Sequence, residues 1–109
     1  MTALDNGLPV FGSLVATGVR GADTPTGDFL VRAKLPKMDM RGTTVTGYHY
    51  DIPDVPWVML FDEDYALHGA PWRPTFGFAQ SNGCVTMPVA AAKFLYDWAP
   101  RGTPVRVHY

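Results

Sequence analysis

The chain has 109 residues, 47% hydrophobic and 17% charged, which fits one globular domain over residues 1–109 that buries well over half of its unfolded surface and excludes disorder. Nine basic residues against ten acidic ones, a formal net charge of −1 and no cluster of Lys or Arg leave no electrostatic footprint for nucleic acid. A single cysteine excludes an internal disulfide and any multi-thiolate metal site, and no membrane-length apolar run or basic-then-apolar leader is visible.

Ten prolines and eleven glycines at short intervals break the chain into brief segments, the pattern of a mainly β domain with tight turns. Asn6-Gly7 is a hairpin signal, and the stretch from Val10 to Val15 alternates after it, with Phe11, Ser13 and Val15 on one face and Val10, Gly12 and Leu14 on the other. Phe29 to Leu35 and Thr43 to Tyr50 read as further strands around a turn-rich connection from Pro36 to Gly42. In the strand from Val55 to Phe61, Trp57, Met59 and Phe61 share one face and Val58 and Leu60 the other. Tyr65 to His68 continues after the acidic turn Asp62-Glu63-Asp64 and puts Ala66 and His68 on one face. One helix is expected from Pro88 to Trp98, because proline suits the first turn and Ala91, Phe94, Leu95 and Trp98 follow helical spacing. Pro100 ends it, and because it starts soon after Cys84 its N-terminal dipole is expected near the thiol, favouring thiolate. Thr103 to His108 closes the fold, with Val105 and Val107 inward and Arg106 and His108 outward.

Chemistry concentrates in the last third. His68-Gly69 is followed by Ser81-Asn82-Gly83-Cys84-Val85-Thr86-Met87. A thiol with an ordinary pKa of about 8.5 is mostly protonated at neutral pH, so a nucleophilic Cys84 needs a base, for which His68 is the candidate. Gly83 allows a tight turn that aims backbone N–H groups at the oxygen of a tetrahedral intermediate, so the chemistry indicated is acyl transfer. The plain alternative is a lone cysteine acting as a small buried hydrophobe and a histidine satisfied at a strand end. His49 and His108 read as surface or structural residues, and the three histidines show no metal-ligand spacing.

Four elements in order carry a resemblance: Ala16-Thr17-Gly18 with Asp23-Thr24-Pro25-Thr26-Gly27-Asp28-Phe29, then Asp54 to Met59, then His68-Gly69, and Ser81-x-Gly-Cys84-Val85-x-Met87 followed by Gly102-Thr103-Pro104-Val105. Over residues 8–109 the chain resembles the catalytic domain of the L,D-transpeptidases, the YkuD family. The resemblance implies a mainly β, L,D-transpeptidase-type β-sandwich with one short α-helix after the cysteine. It departs from the family pattern at Asn82, usually His, at Thr86, usually Asn or Arg, and at the front end, where the first strand is expected to be short, absent or supplied differently.

The resemblance implies Cys84 as nucleophile, His68 as base with its imidazole oriented by the Gly69 carbonyl, and an oxyanion loop of Ser81, Asn82 and Gly83. It implies a substrate groove bordered by Trp72, with Arg73 a candidate grip for a stem-peptide carboxylate or else a solvated loop charge. Tyr48 and Tyr50 fall where similar proteins extend a flap. Trp57, Met59 and Thr86 are further candidates for substrate contact, Trp57 and Met59 being otherwise core. The implied substrates are peptidoglycan stem peptides, a donor tetrapeptide and an amine acceptor, joined in 3-3 crosslinks outside the cytoplasm in cell-wall biogenesis and the maintenance of cell shape. Carbapenem β-lactams are the implied covalent inhibitors, and no cofactor, metal or obligate protein partner is called for. The alternatives are a wall-binding domain impaired by the changes at 82 and 86, and an L,D-carboxypeptidase or other cysteine hydrolase.

Overall fold

The computed structural model describes residues 1–43, 49–62, 65–77, 79, 81 and 83–108, with nothing said of the side chains of Thr43 and Tyr50. Among the described residues, eight strands and one helix follow one another: β1 (Thr2–Asp5), β2 (Leu8–Gly12), β3 (Gly27–Leu30), β4 (Ala33–Thr43), β5 (His49–Asp62), β6 (Tyr65–Gly69), β7 (Val85–Met87), α1 (Val89–Trp98) and β8 (Pro104–Val107). The architecture is thus mainly β with one short helix after Cys84.

β1 and β2 form the hairpin signalled by Asn6-Gly7, whose φ angles of 51° and 81° give the left-handed turn that matches strand twist. A front strand is therefore present. β3 pairs with β8 antiparallel, Phe29 opposite Val105. The main sheet runs β4-β5-β6-β7, antiparallel except for its last pair, β6 and β7, which are parallel.

The expected connection from Pro36 to Gly42 is instead the middle of β4, which begins only at Ala33 after β3 ends at Leu30. Pro36 is tolerated because β4 is an edge strand, where a missing N–H leaves no ladder partner unsatisfied. Pro53 and Pro56 sit in the part of β5 that has β4 on one side but lies beyond the β6 pairing, which involves Met59 to Asp62.

The two faces of the main sheet separate along β5 by alternation from Trp57 onward, while Val55 shares the face of Val58 because the positive φ angles of Asp54 and Trp57, 52° and 53°, interrupt the pleat between them. Met59, Phe61, Leu67, Val85 and Met87 join Ala91, Ala92 and Leu95 of α1 in one core, with Trp57 packed against it. Val55, Val58 and Ala66 form a second cluster on the other face, against which Met38, Met40, Ile52, Leu60 and Cys84 pack. α1 buries Ala91, Ala92 and Leu95, while Phe94 is 41% exposed because its ring leaves the core to stack on Phe11 of β2 at 4.3 Å between centroids. The helix ends at Ala99, extended ahead of Pro100 as the residue before a proline must be. In β8, Val105 and Val107 are half-buried and Arg106 is exposed, as the alternation predicted.

Candidate active site

β6 and β7 run side by side with Leu67 opposite Val85 and His68 opposite Thr86. The parallel register sets Cys84, immediately before β7, beside Ala66, and Ala66 belongs to the cluster against which Cys84 packs. Ala66 and His68 are two residues apart on one strand, so His68 and half-buried Cys84 occupy the same face of adjacent strands. Leu67, Val85 and Met87, the alternate positions, point into the opposite core.

His68 is 3% exposed. Its Nδ1 lies 2.7 Å from the Gly69 carbonyl oxygen. A carbonyl only accepts, so Nδ1 carries the proton and Nε2 is left with a lone pair. Burial holds the imidazole below its ordinary pKa of 6.5, and the Arg73 guanidinium pushes the same way against the opposing Gly69 hydrogen bond. The ring is therefore a neutral base at pH 7. Trp72, 42% exposed, stands beside it with ring centroids 6.0 Å apart.

The segment leading to Cys84 is wired on several sides. Ser81 Oγ accepts from Gly83 N–H at 3.2 Å and donates to the Cys84 carbonyl at 2.5 Å. Ser81 is itself fixed through its backbone, its N–H donating to the Thr17 carbonyl and its carbonyl accepting from Val19 N–H. Gly83 has φ +126°, and a Cβ there would stand 2.4 Å from the Tyr65 ring, so only glycine fits. Buried Thr24 donates to the Gly83 carbonyl at 2.6 Å and accepts from Gly18 N–H at 3.0 Å.

Among the residues singled out from the sequence, His68, Gly69, Trp72, Arg73, Ser81, Gly83 and Cys84 come together here. Thr86 is on the same face but buried, its hydroxyl donating to the Ala16 carbonyl at 3.2 Å, so it braces the strand and offers no grip on a substrate. Trp57 and Met59 do not reach the site: Met59 is 1% exposed in the helix-side core, and Trp57 lies against Tyr96 of α1 at 5.2 Å between ring centroids. Strand alternation, which puts them opposite Val58 and Leu60, is the reason. Tyr48 and Asn82 lie outside the described residues, as does the Tyr50 side chain.

The helix does not begin at the thiol. β7 intervenes, about 10 Å of extended chain, and the first turn stands instead beside Gly69, where an added Cβ would meet Val89 Cα at 3.3 Å. Thr24 and Tyr65 were not singled out as site residues, although Thr24 belongs to the Asp23 to Phe29 stretch that carried the resemblance.

Solved structures share this fold. An L,D-transpeptidase 3 from Mycobacterium tuberculosis with a faropenem-derived adduct superposes with TM-score 0.88 at 23% identity, covering 99% of this chain and 55% of that one. An L,D-transpeptidase from Mycobacterium smegmatis gives TM-score 0.83 at 24% identity over 95% of this chain and 51% of that one. The catalytic domain of an Enterococcus faecium L,D-transpeptidase acylated by ertapenem gives TM-score 0.81 at 28% identity over 95% and 84%. The chain thus spans about half the length of the two mycobacterial proteins. Among curated protein sequences none matches. The sequence matches the family model of the L,D-transpeptidase catalytic domain, YkuD, over residues 1–107, a match that takes in the front hairpin, and the chain belongs to that family.

Proposed function

We propose that the protein is a peptidoglycan L,D-transpeptidase in which Cys84 forms a thioester with a stem peptide. The observation that carries this reading is a neutral, buried His68, its Nδ1 proton held by Gly69, on the same face and adjacent strand as Cys84. The Cys84 thiol attacks the carbonyl of the third, diamino residue of a donor tetrapeptide while His68 Nε2 takes the thiol proton. The tetrahedral intermediate collapses to the thioester, and His68 returns the proton to the departing amine of the terminal D-Ala. An amine of a second stem then attacks the thioester, gives its proton to His68 and restores the thiol, leaving a 3-3 crosslink; water in place of the amine gives L,D-carboxypeptidase activity.

The oxyanion is held by the Cys84 N–H, which in a trans peptide points away from the Gly83 carbonyl bound by Thr24. Gly83 N–H, engaged by Ser81, is the loop's own brace rather than a donor to substrate. Arg73, next to the imidazole, takes the stem carboxylate in place of the arginine absent at 86, and Trp72 walls the groove. The substrate places the working protein outside the cytoplasm. The related Enterococcus structure acylated by ertapenem supports β-lactams as acylating inhibitors of this chain as well.

The test is intact mass after exposure to ertapenem. A one-to-one adduct is expected on the wild type, none on Cys84→Ala, and acylation slowed about 100-fold or more in His68→Ala, the scale of general base catalysis. A folded wild-type protein that stays unmodified would point to the wall-binding alternative.

A further inference from the structure

Thr24 reaches the Cys84 segment across 59 residues of sequence, and its hydroxyl is used twice. Because Oγ1 accepts from Gly18 N–H, its one proton is committed to the Gly83 carbonyl. The result is a chain of hydrogen bonds from Gly18 N–H through Thr24 O–H to Gly83 C=O, whose peptide plane ends in the Cys84 N–H. A hydrogen bond to a carbonyl polarises its peptide and strengthens the N–H at the far end as a donor.

The groups flanking that plane are held as well. Ser81 fixes the peptides on either side, through Gly83 N–H and Cys84 C=O, and the Tyr65 ring closes on Gly83 Cα. Neither of these touches the Gly83 carbonyl. Thr24, bonded to the Gly83 carbonyl, therefore bears directly on the tilt of the Gly83–Cys84 peptide.

We infer that Thr24 is a positioning residue that aims and polarises the Cys84 N–H toward the oxyanion. The inference rests on the reading of Cys84 as an acylated nucleophile. It separates two reactions of one thiol. Attack on a carbonyl builds an oxyanion and depends on Thr24, whereas displacement of iodide from iodoacetamide builds none and does not.

Both rates are measured at Cys84 by intact mass, with ertapenem and with iodoacetamide, on wild type, Thr24→Val, Thr24→Ala and Thr24→Ser. Alanine removes the hydroxyl with less bulk if the valine variant does not fold, and serine keeps the donor. Thr24→Val and Thr24→Ala are expected to acylate about 10- to 100-fold more slowly, somewhat less than deleting an oxyanion donor outright, with alkylation changed less than about twofold. Serine is expected to restore acylation to within a few-fold of wild type. The inference is overturned if either variant acylates at the wild-type rate, or if acylation and alkylation fall together and serine rescues neither. Wild-type protein that alkylates but never acylates would instead sink the underlying reading of the site, and this inference with it.

Discussion

On the helix side of the main sheet, Met59, Phe61, Leu67, Val85 and Met87 pack against Ala91, Ala92 and Leu95, an interior of apolar volume alone. Around His68 and Cys84 the interior is built differently. The four buried polar side chains among the described residues, Thr24, His68, Ser81 and Thr86, all gather there. Each is bonded to a backbone carbonyl, of Gly83, Gly69, Cys84 and Ala16 respectively. A side chain that only fills space can be exchanged for another of similar shape, but one that satisfies a buried carbonyl fixes a direction. The helix side is thus specified by volume and the cysteine side by orientation.

Emptying the apolar side should cost stability and spare chemistry. Met59→Ala is expected to lose about 2–5 kcal/mol in denaturant unfolding, while the folded fraction acylates with ertapenem at the wild-type rate. A fall in acylation per folded molecule would restore Met59 as a substrate contact.

Disturbing the oriented side should do the reverse. Gly83→Ala forces a Cβ toward the Tyr65 ring at a φ that other residues avoid, so a loss of about 1–3 kcal/mol is expected from the strain. Acylation should fall more than tenfold in the same variant, by stopped-flow fluorescence, because the Cys84 peptide cannot keep its tilt. Wild-type acylation would show that the loop relaxes without moving the thiol.

The smallest effect concerns protons. Folded His68 holds its proton more weakly than the unfolded chain, whose imidazole has the ordinary value of 6.5. Above that pH both states are neutral and nothing is lost; as pH falls through 6.5 the unfolded chain gains a proton that the folded one resists, and stability declines. Melting temperature followed from about pH 7.5 to about pH 5.5 should show this slope in wild type and less of it in His68→Gln. Likewise the acid limb of the acylation profile should lie below pH 6.5 and move upward in Arg73→Gln, which removes a neighbouring positive charge. An acid limb at or above 6.5 in the wild type would contradict the neutral resting base.

Local rules made the Asn6-Gly7 hairpin, the alternation of β5 from Trp57 onward and the helix legible in the sequence, and the ordered motifs singled out His68 and Cys84, which the parallel register of β6 and β7 sets on one face. They failed where tertiary placement decides. Pro36 to Gly42 looked like a turn because proline and glycine punctuate, yet β4 absorbs both by running along a sheet edge. Trp57 and Met59 sit on the same strand as the site's apolar floor but one register step away from it, and a single sequence does not say which face meets the substrate. Phe94 has the spacing of a core position and spends its ring on Phe11 instead. Thr24 left no periodic trace, because its partner lies 59 residues away and only the folded chain brings the two together.

The parallel pairing of β6 and β7 has an evolutionary side. Parallel neighbours cannot be joined by a tight turn, so the chain must leave the sheet after Gly69 and travel before it returns at Val85. Trp72 and Arg73 lie on that connection between β6 and β7. Its length and composition can change by insertion, deletion or substitution while the sheet keeps His68 and Cys84 in step. One sheet can therefore carry different groove walls by rewriting a single stretch of chain, with His68 and Cys84 left where they stand.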